Sequence, residues 1–202
     1  MRATRRIGIL GGAFDPVHNG HLAIARGVID EARLDRVLFM PVGAPAHRAT
    51  HAPAADRAEM VRLALESEDP RLQFDATALD QPGPAYTADT LILARRAYPD
   101  DALFFIAGAD SLGFSKWRRL DEVAAAVERF YVVSRRGSSW TDVEKVIGEL
   151  GPPLRERFVP IDITVPEISA SEIRARVASG KSIGGLVPDE VARYIKRAGL
   201  YK

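Results

Sequence analysis

The alternation of apolar segments with segments of helical periodicity is the feature that most constrains the fold of this chain. Short runs typical of buried strands occur at 7–10, 36–40, 72–74, 103–107, 130–134 and 157–161. Helical segments are predicted at about 20–33, 56–66, 87–98, 120–127, 142–150, 169–179 and 188–199. Strands that alternate with helices predict an α/β protein with a mainly parallel sheet and helices on both faces.

Length, charge and cysteine content restrict the class of protein further. The chain has 202 residues, and we expect one domain over 1–202 with a helical C-terminal part, about 169–202, packed on it. The net charge of +1 predicts no nucleic-acid partner, and no apolar run is long enough to predict a membrane partner. The short apolar run after MRATRR is not typical of a secretory signal, and the lack of cysteine fits a cytoplasmic protein. Homo-oligomerisation stays open.

The turn after the first strand carries an unusual set of residues. The stretch GILGGAFDPVHNGH (8–21) joins the strand to a helix, and it contains neither the Gly-Lys-Ser/Thr ending of a Walker loop nor the dinucleotide pattern G-x-G-x-x-G. Gly11 and Gly12 allow a ligand to approach the backbone closely. Gly20 lies at a helix start, where free N–H groups attract anions. His18 and His21 are three positions apart and can both donate to phosphate oxygens.

Each of these features also has a simpler interpretation. The two glycines are compatible with a tight turn alone, and Asp15 with a turn residue that bonds its own backbone. A His-x-x-His pair is found in metal sites, although the glutamate of the zinc-protease motif is missing here. The whole combination of strand, GGxFDPxHxGH and helix points more strongly to an anion site than any one of its parts.

GGAFDPVHNGH resembles the signature of the nucleotidyltransferases that carry an HxGH motif on a Rossmann-like, doubly wound fold. The rest of the chain resembles the bacterial nicotinate-nucleotide adenylyltransferases through PAHR (45–48), YTADTL (86–91), FIAGADS (105–111), ISASEIR (168–174) and the C-terminal LVPDEVARYI and GLY. Two positions depart from the family pattern. Ser171 stands where threonine is usual and keeps the hydroxyl, and Ala46 stands where proline is commoner.

The resemblance implies transfer of AMP from ATP to nicotinate mononucleotide, which yields deamido-NAD and pyrophosphate in NAD biosynthesis. ATP and nicotinate mononucleotide would be the small-molecule partners. Mg²⁺ is expected as a cofactor held through the ATP phosphates, with no protein metal ligands. A phosphate nucleophile is already ionised at neutral pH, so the reaction needs positioning and charge stabilisation rather than a general base.

The resemblance also implies roles for individual residues. Three would be catalytic, by contact with the ATP phosphates: His18, His21 and Arg174. ATP would also be bound by Gly11, Gly12, Phe14, Gly108, Asp110, Ser111, Ile168 and Ser171. Nicotinate mononucleotide would be bound by His47, Arg48, Thr87 and Trp117, with the tryptophan ring stacked on the pyridine.

Structural alternatives exist for several of these residues. Ser169 and Glu172 have the spacing of a helix capping box, and Thr87 can cap the helix that it starts. Trp117 is also compatible with a core position, and Arg174 with a solvated helix face. At the level of function, the alternatives are an enzyme that uses nicotinamide mononucleotide or phosphopantetheine, and a nucleotide-binding sensor without turnover. YTADTL and Trp117 disfavour phosphopantetheine, and the intact His18, His21 and Arg174 disfavour the sensor.

Overall fold

The structure is a computed structural model that describes residues 4–47, 49–109, 119–133, 140–148 and 150–202. Within these residues the chain forms six strands and eight helices. The strands are β1 Arg6–Gly12, β2 Arg36–Pro41, β3 Leu72–Phe74, β4 Ala102–Gly108, β5 Arg129–Val133 and β6 Phe158–Ile161. The helices are α1 Asn19–Glu31, α2 Ala54–Leu65, α3 Thr87–Ala97, α4 Leu120–Ala126, α5 Trp140–Gly148, α6 Pro152–Arg155, α7 Ala170–Ala178 and α8 Asp189–Ala198.

The six strands form one parallel sheet in the order β3-β2-β1-β4-β5-β6. β1 lies at its centre, where Ile9 is in register with Leu38 of β2 and with Phe105 of β4. The strand order reverses between β1 and β4, which is the position where open parallel sheets bind ligands. The predicted Rossmann-like, doubly wound α/β fold is therefore confirmed.

Side chains that alternate along each strand build a separate core on each face of the sheet. Ile7 and Ile9 of β1 belong to the core that includes buried residues of α3, α4 and α5. Leu10 belongs to the opposite core, which includes buried residues of α1, α2, α7 and α8. Gly8 faces this second core, where a Cβ would lie 2.8 Å from Leu34 Cδ1 and 2.9 Å from Ile106 Cδ1, so a larger residue would displace these side chains.

Most predicted elements agree with the structure to within about two residues at their ends. The short helix α6, Pro152–Arg155, was not predicted because a four-residue turn is too short to show helical periodicity. The prediction that the fifth strand reaches Ser134 concerns a residue outside the described ranges. Among the described helices, none has the length and apolar character to cross a membrane.

Candidate active site

A cavity of about 360 Å³ opens at the carboxyl ends of β1 and β4, at the reversal of strand order. Its walls come from the end of β1 and the following turn, the start of α1, the end of β4 and the first turn of α7. Nine residues that the sequence predicted for the site line it: Gly11, Gly12, Phe14, His18, His21, Thr87, Gly108, Ser171 and Arg174. The fold therefore brings together residues that span more than 160 positions of sequence.

The remaining predicted site residues lie elsewhere or are not described. Ile168 is buried in the core beside α7 and does not line the cavity. His47 is exposed, lies outside the cavity wall, and its ring makes an edge contact with Tyr86 at 5.4 Å between centroids. Four predicted residues lie outside the described residues: Arg48, Asp110, Ser111 and Trp117.

The two histidines of the HxGH motif form a stacked pair at the start of α1. Their ring centroids are 3.7 Å apart and the planes are inclined by 28°. The Nδ1 atom of His21 accepts a hydrogen bond from the backbone N–H of His18 at 3.2 Å. In the neutral ring of His21 the proton is then on Nε2, because a nitrogen that accepts carries no hydrogen. Both rings line the cavity, so the pair can offer a donor to a bound anion.

Gly20 is required between the two histidines for a steric reason. A Cβ at this position would lie 2.9 Å from Nδ1 of His18 and 3.0 Å from its Cε1. The ring of His18 is itself buried, with only 2 % of the residue exposed, so it has little room to move away. The glycine thus allows the histidine ring to lie across the first turn of α1.

The side chain of Phe14 packs against the ring of His21. The backbone φ angle of Phe14 is 49°, in the positive range that few non-glycine residues adopt. The buried Phe14 ring forms a T-shaped pair with the His21 ring, with 5.1 Å between the ring centroids, and packs against Phe39 of β2 with the centroids 5.7 Å apart. The predicted ATP-binding residue is therefore placed to hold the orientation of the His21 imidazole.

The first turn of α7 forms the opposite wall of the cavity. Ser169 caps the helix, and its hydroxyl accepts from the backbone N–H of Glu172 at 3.2 Å. The carboxylate of Glu172 pairs with Arg176 at 2.9 Å instead of completing a capping box, so the box prediction was correct only for the serine. Arg174, on the next turn, donates from Nη1 to the backbone carbonyl of Asp15 at 2.7 Å.

The start of α3 carries Thr87, which also lines the cavity. The prediction that Thr87 caps this helix was wrong. The N-cap is Tyr86, whose backbone N–H donates to the carboxylate of Asp89 at 3.1 Å, and Thr87 is the first helical residue. The other oxygen of Asp89 pairs with Arg119 at 2.6 Å. The threonine hydroxyl is thus not used as the cap and remains a candidate for ligand contact.

The carboxylate of Asp15 is a junction that the sequence indicated only as a turn residue. It accepts hydrogen bonds from the backbone N–H groups of His51 (2.7 Å) and Ala52 (3.1 Å) and from the Tyr201 hydroxyl (2.8 Å). The ring of His51 lies 3.2 Å away. Burial alone would raise the pKa of Asp15, but these hydrogen bonds outweigh it and hold the pKa below the ordinary value. Asp15 is therefore ionised at neutral pH.

Arg57 on α2 is a second residue that the sequence prediction missed. It is completely buried, and its guanidinium donates to the carbonyls of Ala13, Val42, Gly43 and Ala52. These carbonyls belong to the turn after β1 and to the loop after β2, so one side chain fastens the two loops together. A signal was present in the sequence, because Arg57 lies three positions before Met60 on the apolar face of its helix.

The cavity is suited to a polyphosphate. Helices α1 and α7 both begin at its wall, so their N-terminal N–H groups face an anion there favourably. The side chains of His18, His21 and Arg174 can add hydrogen-bond donors for phosphate oxygens from three positions. Among the described residues of the wall, Asp15 is the acidic one, and both of its oxygens already accept hydrogen bonds. Among the described residues, no three His, Cys, Asp or Glu side chains form a cluster that could hold a metal ion.

A parallel sheet whose switch-point cavity is lined by the GGxFDPxHxGH motif is typical of the Rossmann-like nucleotidyltransferases, and comparisons with known proteins agree on this class. The family model described as cytidylyltransferase-like matches residues 9–176. A Thermus thermophilus chain named "Probable nicotinate-nucleotide adenylyltransferase" is 42% identical over 98% of this chain and 100% of its own length. The nicotinate-nucleotide adenylyltransferase of Bacillus subtilis is 37% identical over 98% of this chain and 99% of its own.

The chain belongs to the cytidylyltransferase-like family and, within it, to the nicotinate-nucleotide adenylyltransferases. Solved structures agree on the fold. The nicotinic acid mononucleotide adenylyltransferase of Plasmodium falciparum complexed with NaAD has a TM-score of 0.76 at 17% identity, over 98% of this chain and 97% of its own. The family that the motifs predicted is therefore confirmed.

Proposed function

We propose that this chain catalyses adenylyl transfer from ATP to nicotinate mononucleotide with His18, His21 and Arg174 as the residues that act on the phosphates. A phosphate oxygen of the mononucleotide attacks the α-phosphorus of ATP in line. The bond from this phosphorus to the bridging oxygen of the β-phosphate breaks, and deamido-NAD and pyrophosphate result. The observation that carries the proposal is the convergence of these three side chains on one cavity in a member of this family.

The ATP phosphates are held between the two helix N-termini. His18 and His21 donate from α1, with His21 acting on the charge that develops at the transferred phosphorus. Arg174 and Ser171 of α7 bind the β- and γ-phosphates, for which a permanently charged guanidinium is well suited. Gly11, Gly12 and Gly108 leave room for close approach of the nucleotide. The predicted ATP contacts of Ile168, Asp110 and Ser111 stay predictions.

The mononucleotide enters from the side of α3. Thr87 lies in the cavity wall there, and His47 lies beside Tyr86 at the same helix start. We assign Thr87 to the nicotinate group and the loop that contains His47 and Arg48 to the mononucleotide phosphate. Stacking of Trp117 on the pyridine ring stays a prediction from the family resemblance.

Magnesium enters as part of the substrate, MgATP. Among the described residues, the cavity wall presents N–H and hydroxyl donors and one carboxylate, Asp15, both of whose oxygens already accept hydrogen bonds, so these groups fit phosphate oxygens rather than a bare cation. Mg²⁺ coordinated by phosphate and water would neutralise the triphosphate and favour departure of pyrophosphate.

A pyrophosphate-release assay with ATP and nicotinate mononucleotide tests the function. We expect release that depends on both substrates and a strong preference for nicotinate over nicotinamide mononucleotide. Equal kcat/KM on the acid and the amide would contradict the preference. Release only with phosphopantetheine would reassign the substrate, and ATP binding without release on any of these acceptors would favour a sensor.

Two further predictions concern the whole chain. Val187, Val191 and Ile195 of the C-terminal part pack in the same core as Leu22 and Val28 of α1, which supports one domain over 1–202. ATP as a substrate supports the cytoplasmic location expected from composition. Sedimentation equilibrium on the full chain would decide between monomer and homo-oligomer.

A further inference from the structure

The C-terminal segment reaches back to the phosphate-binding turn through a single side chain. The hydroxyl of Tyr201 donates to Oδ1 of Asp15 at 2.8 Å, across 186 positions of sequence. Asp15 lies between Phe14 and His18, and its carboxylate is almost completely buried. Tyr201, in the segment after α8, is thus in direct contact with the turn that follows β1.

Asp15 connects three parts of the site at once. Its Oδ1 also accepts from the N–H of Ala52, and its Oδ2 accepts from the N–H of His51, so the carboxylate anchors the loop that follows β2. Its backbone carbonyl accepts from Nη1 of Arg174, which is the residue assigned to the β- and γ-phosphates. Movement of Asp15 would therefore displace both Arg174 and the loop assigned to the mononucleotide.

We propose that Tyr201 is a positioning residue for adenylyl transfer, which holds Asp15 so that Arg174 keeps the orientation needed to bind the ATP phosphates. The proposal deepens the function proposed above and rests on it. Tyr201 itself does not line the cavity, so it acts through Asp15 rather than by touching substrate.

The charge states of the two partners agree with this role. Burial, followed by the hydrogen bond to Asp15, raises the pKa of Tyr201 above its usual range, so the phenol keeps its proton and remains a donor at all working pH values. The carboxylate stays ionised, and a charged acceptor gives the stronger kind of hydrogen bond.

A matched control exists in the same segment. Tyr194 of α8 donates to the carboxylate of Asp56 on α2 at 2.7 Å, so it also joins the C-terminal part to the rest of the chain by a tyrosine–aspartate bond. Both tyrosines are partly buried. Neither Tyr194 nor Asp56 lines the cavity. Tyr194→Phe thus removes the same chemical group and the same kind of attachment without touching the catalytic turn.

The experiment compares Tyr201→Phe with Tyr194→Phe in the full chain. Steady-state kinetics give kcat and KM for both substrates, calorimetry gives the Kd for ATP, and urea denaturation gives stability. We expect Tyr201→Phe to lower kcat/KM for ATP by about tenfold, the factor that corresponds to one hydrogen bond, while Tyr194→Phe stays within about twofold of wild type. Both variants should lose similar stability. Equal kinetics in the two variants would overturn the proposal.

A double-mutant cycle with Asp15→Ala, which removes the acceptor of the Tyr201 hydroxyl, tests the route of action. If Tyr201 acts through Asp15, Tyr201→Phe has no further effect on kcat/KM in the Asp15→Ala background. A further tenfold loss of kcat/KM when Tyr201→Phe is added to the Asp15 variant would refute this route. Should Asp15→Ala fail to fold, the comparison of Tyr201→Phe with Tyr194→Phe still decides. A wild-type chain that binds ATP but releases no pyrophosphate would refute the proposed function alone, and weaker ATP binding in Tyr201→Phe than in Tyr194→Phe would still support the positioning role.

Discussion

Arg174 of α7 donates from Nη1 to the backbone carbonyl of Asp15 at 2.7 Å, although 159 positions of sequence separate the two residues. This bond joins the C-terminal wall of the cavity to the turn that follows β1. It leaves the remaining N–H groups of the guanidinium available to a phosphate, because arginine has five donors in a planar fork. The side chain is therefore oriented by the protein before ATP binds.

The orientation of Arg174 predicts that lysine cannot replace it. Arg174→Lys keeps the charge but cannot donate to Asp15 and to two phosphate oxygens in the same geometry. We expect kcat/KM for ATP to fall by about tenfold to a hundredfold, the scale for losing charge-assisted hydrogen bonds. Arg176→Lys on the same helix, which pairs with Glu172 instead, should stay within about twofold of wild type. Near-normal kcat/KM in Arg174→Lys would show that only the charge is needed.

His21 has a structural role and a proposed catalytic role, and two substitutions separate them. His21→Ala removes both the Nδ1 acceptor for the His18 N–H and the Nε2 donor, whereas His21→Asn places an oxygen near Nδ1 and keeps the acceptor. We expect kcat to fall by about a hundredfold or more in both variants, since one charge-stabilising donor is lost. Only the alanine variant should lose stability in urea. Near-normal kcat in His21→Asn would remove the imidazole from the mechanism.

Gly20→Ala should reduce activity by crowding a histidine. The new Cβ would lie 2.9 Å from Nδ1 of His18, and displacement of the buried ring should lower kcat by about tenfold to a hundredfold. Gly27→Ala is the control on the same helix, because its Cβ would lie 2.6 Å from Cδ1 of Ile163. The control should lose stability but keep kcat. If Gly20→Ala kept a wild-type kcat, as Gly27→Ala is expected to do, Gly20 would matter only for helix packing.

Arg57→Met should destabilise the fold. The substitution leaves buried carbonyls of two loops without their donor, and we expect the free energy of unfolding in urea to fall by about 3 kcal/mol. Arg62→Met is the control on the same helix. Its guanidinium is exposed and lies over the ring of Phe74 at 3.9 Å, so its loss should cost about 1 kcal/mol or less. Equal losses in the two variants would contradict the clamping role of Arg57.

Asp15 should make stability depend on pH in the acid range. Its pKa is lower in the folded chain than in the unfolded one. Its contribution to the free energy of unfolding is therefore complete above about pH 4 and is lost as the pH falls through the pKa of the folded state. The free energy of unfolding of Asp15→Asn should therefore be about 2 kcal/mol lower than that of wild type at pH 7. The difference between the two proteins should shrink below pH 4. Urea denaturation at several pH values measures this. A difference that stays constant down to pH 2 would show that the charge of Asp15 is not involved.

Local patterns were enough to predict much of the fold. The alternation of strands and helices predicted the parallel sheet, because side-chain periodicity within a segment reflects which face is buried. Five residues of the first motif could be assigned to the cavity, since strand, turn and helix start are contiguous in sequence: Gly11, Gly12, Phe14, His18 and His21. The family could be predicted as well, because its motifs are short and lie in linear order.

The capping assignments that failed had a competing partner within the same helix. Thr87 has a side chain suited to capping, but the helix begins one residue earlier and uses Asp89. Glu172 has the spacing of a capping box but pairs with Arg176. In each case a local preference worth about 1 kcal/mol gave way to another partner of similar strength, so spacing alone could not decide.

The sequence by itself determined the class of fold, the order of its elements and the motif that starts the site. Only the tertiary structure decided how Asp15, Arg57, Arg174 and Tyr201 are connected. Strand pairing and helix packing bring these residues together from distant positions, and no local periodicity records such proximity. These polar groups stay paired because a buried donor or acceptor without a hydrogen-bond partner is costly. That cost exists only once the chain has folded.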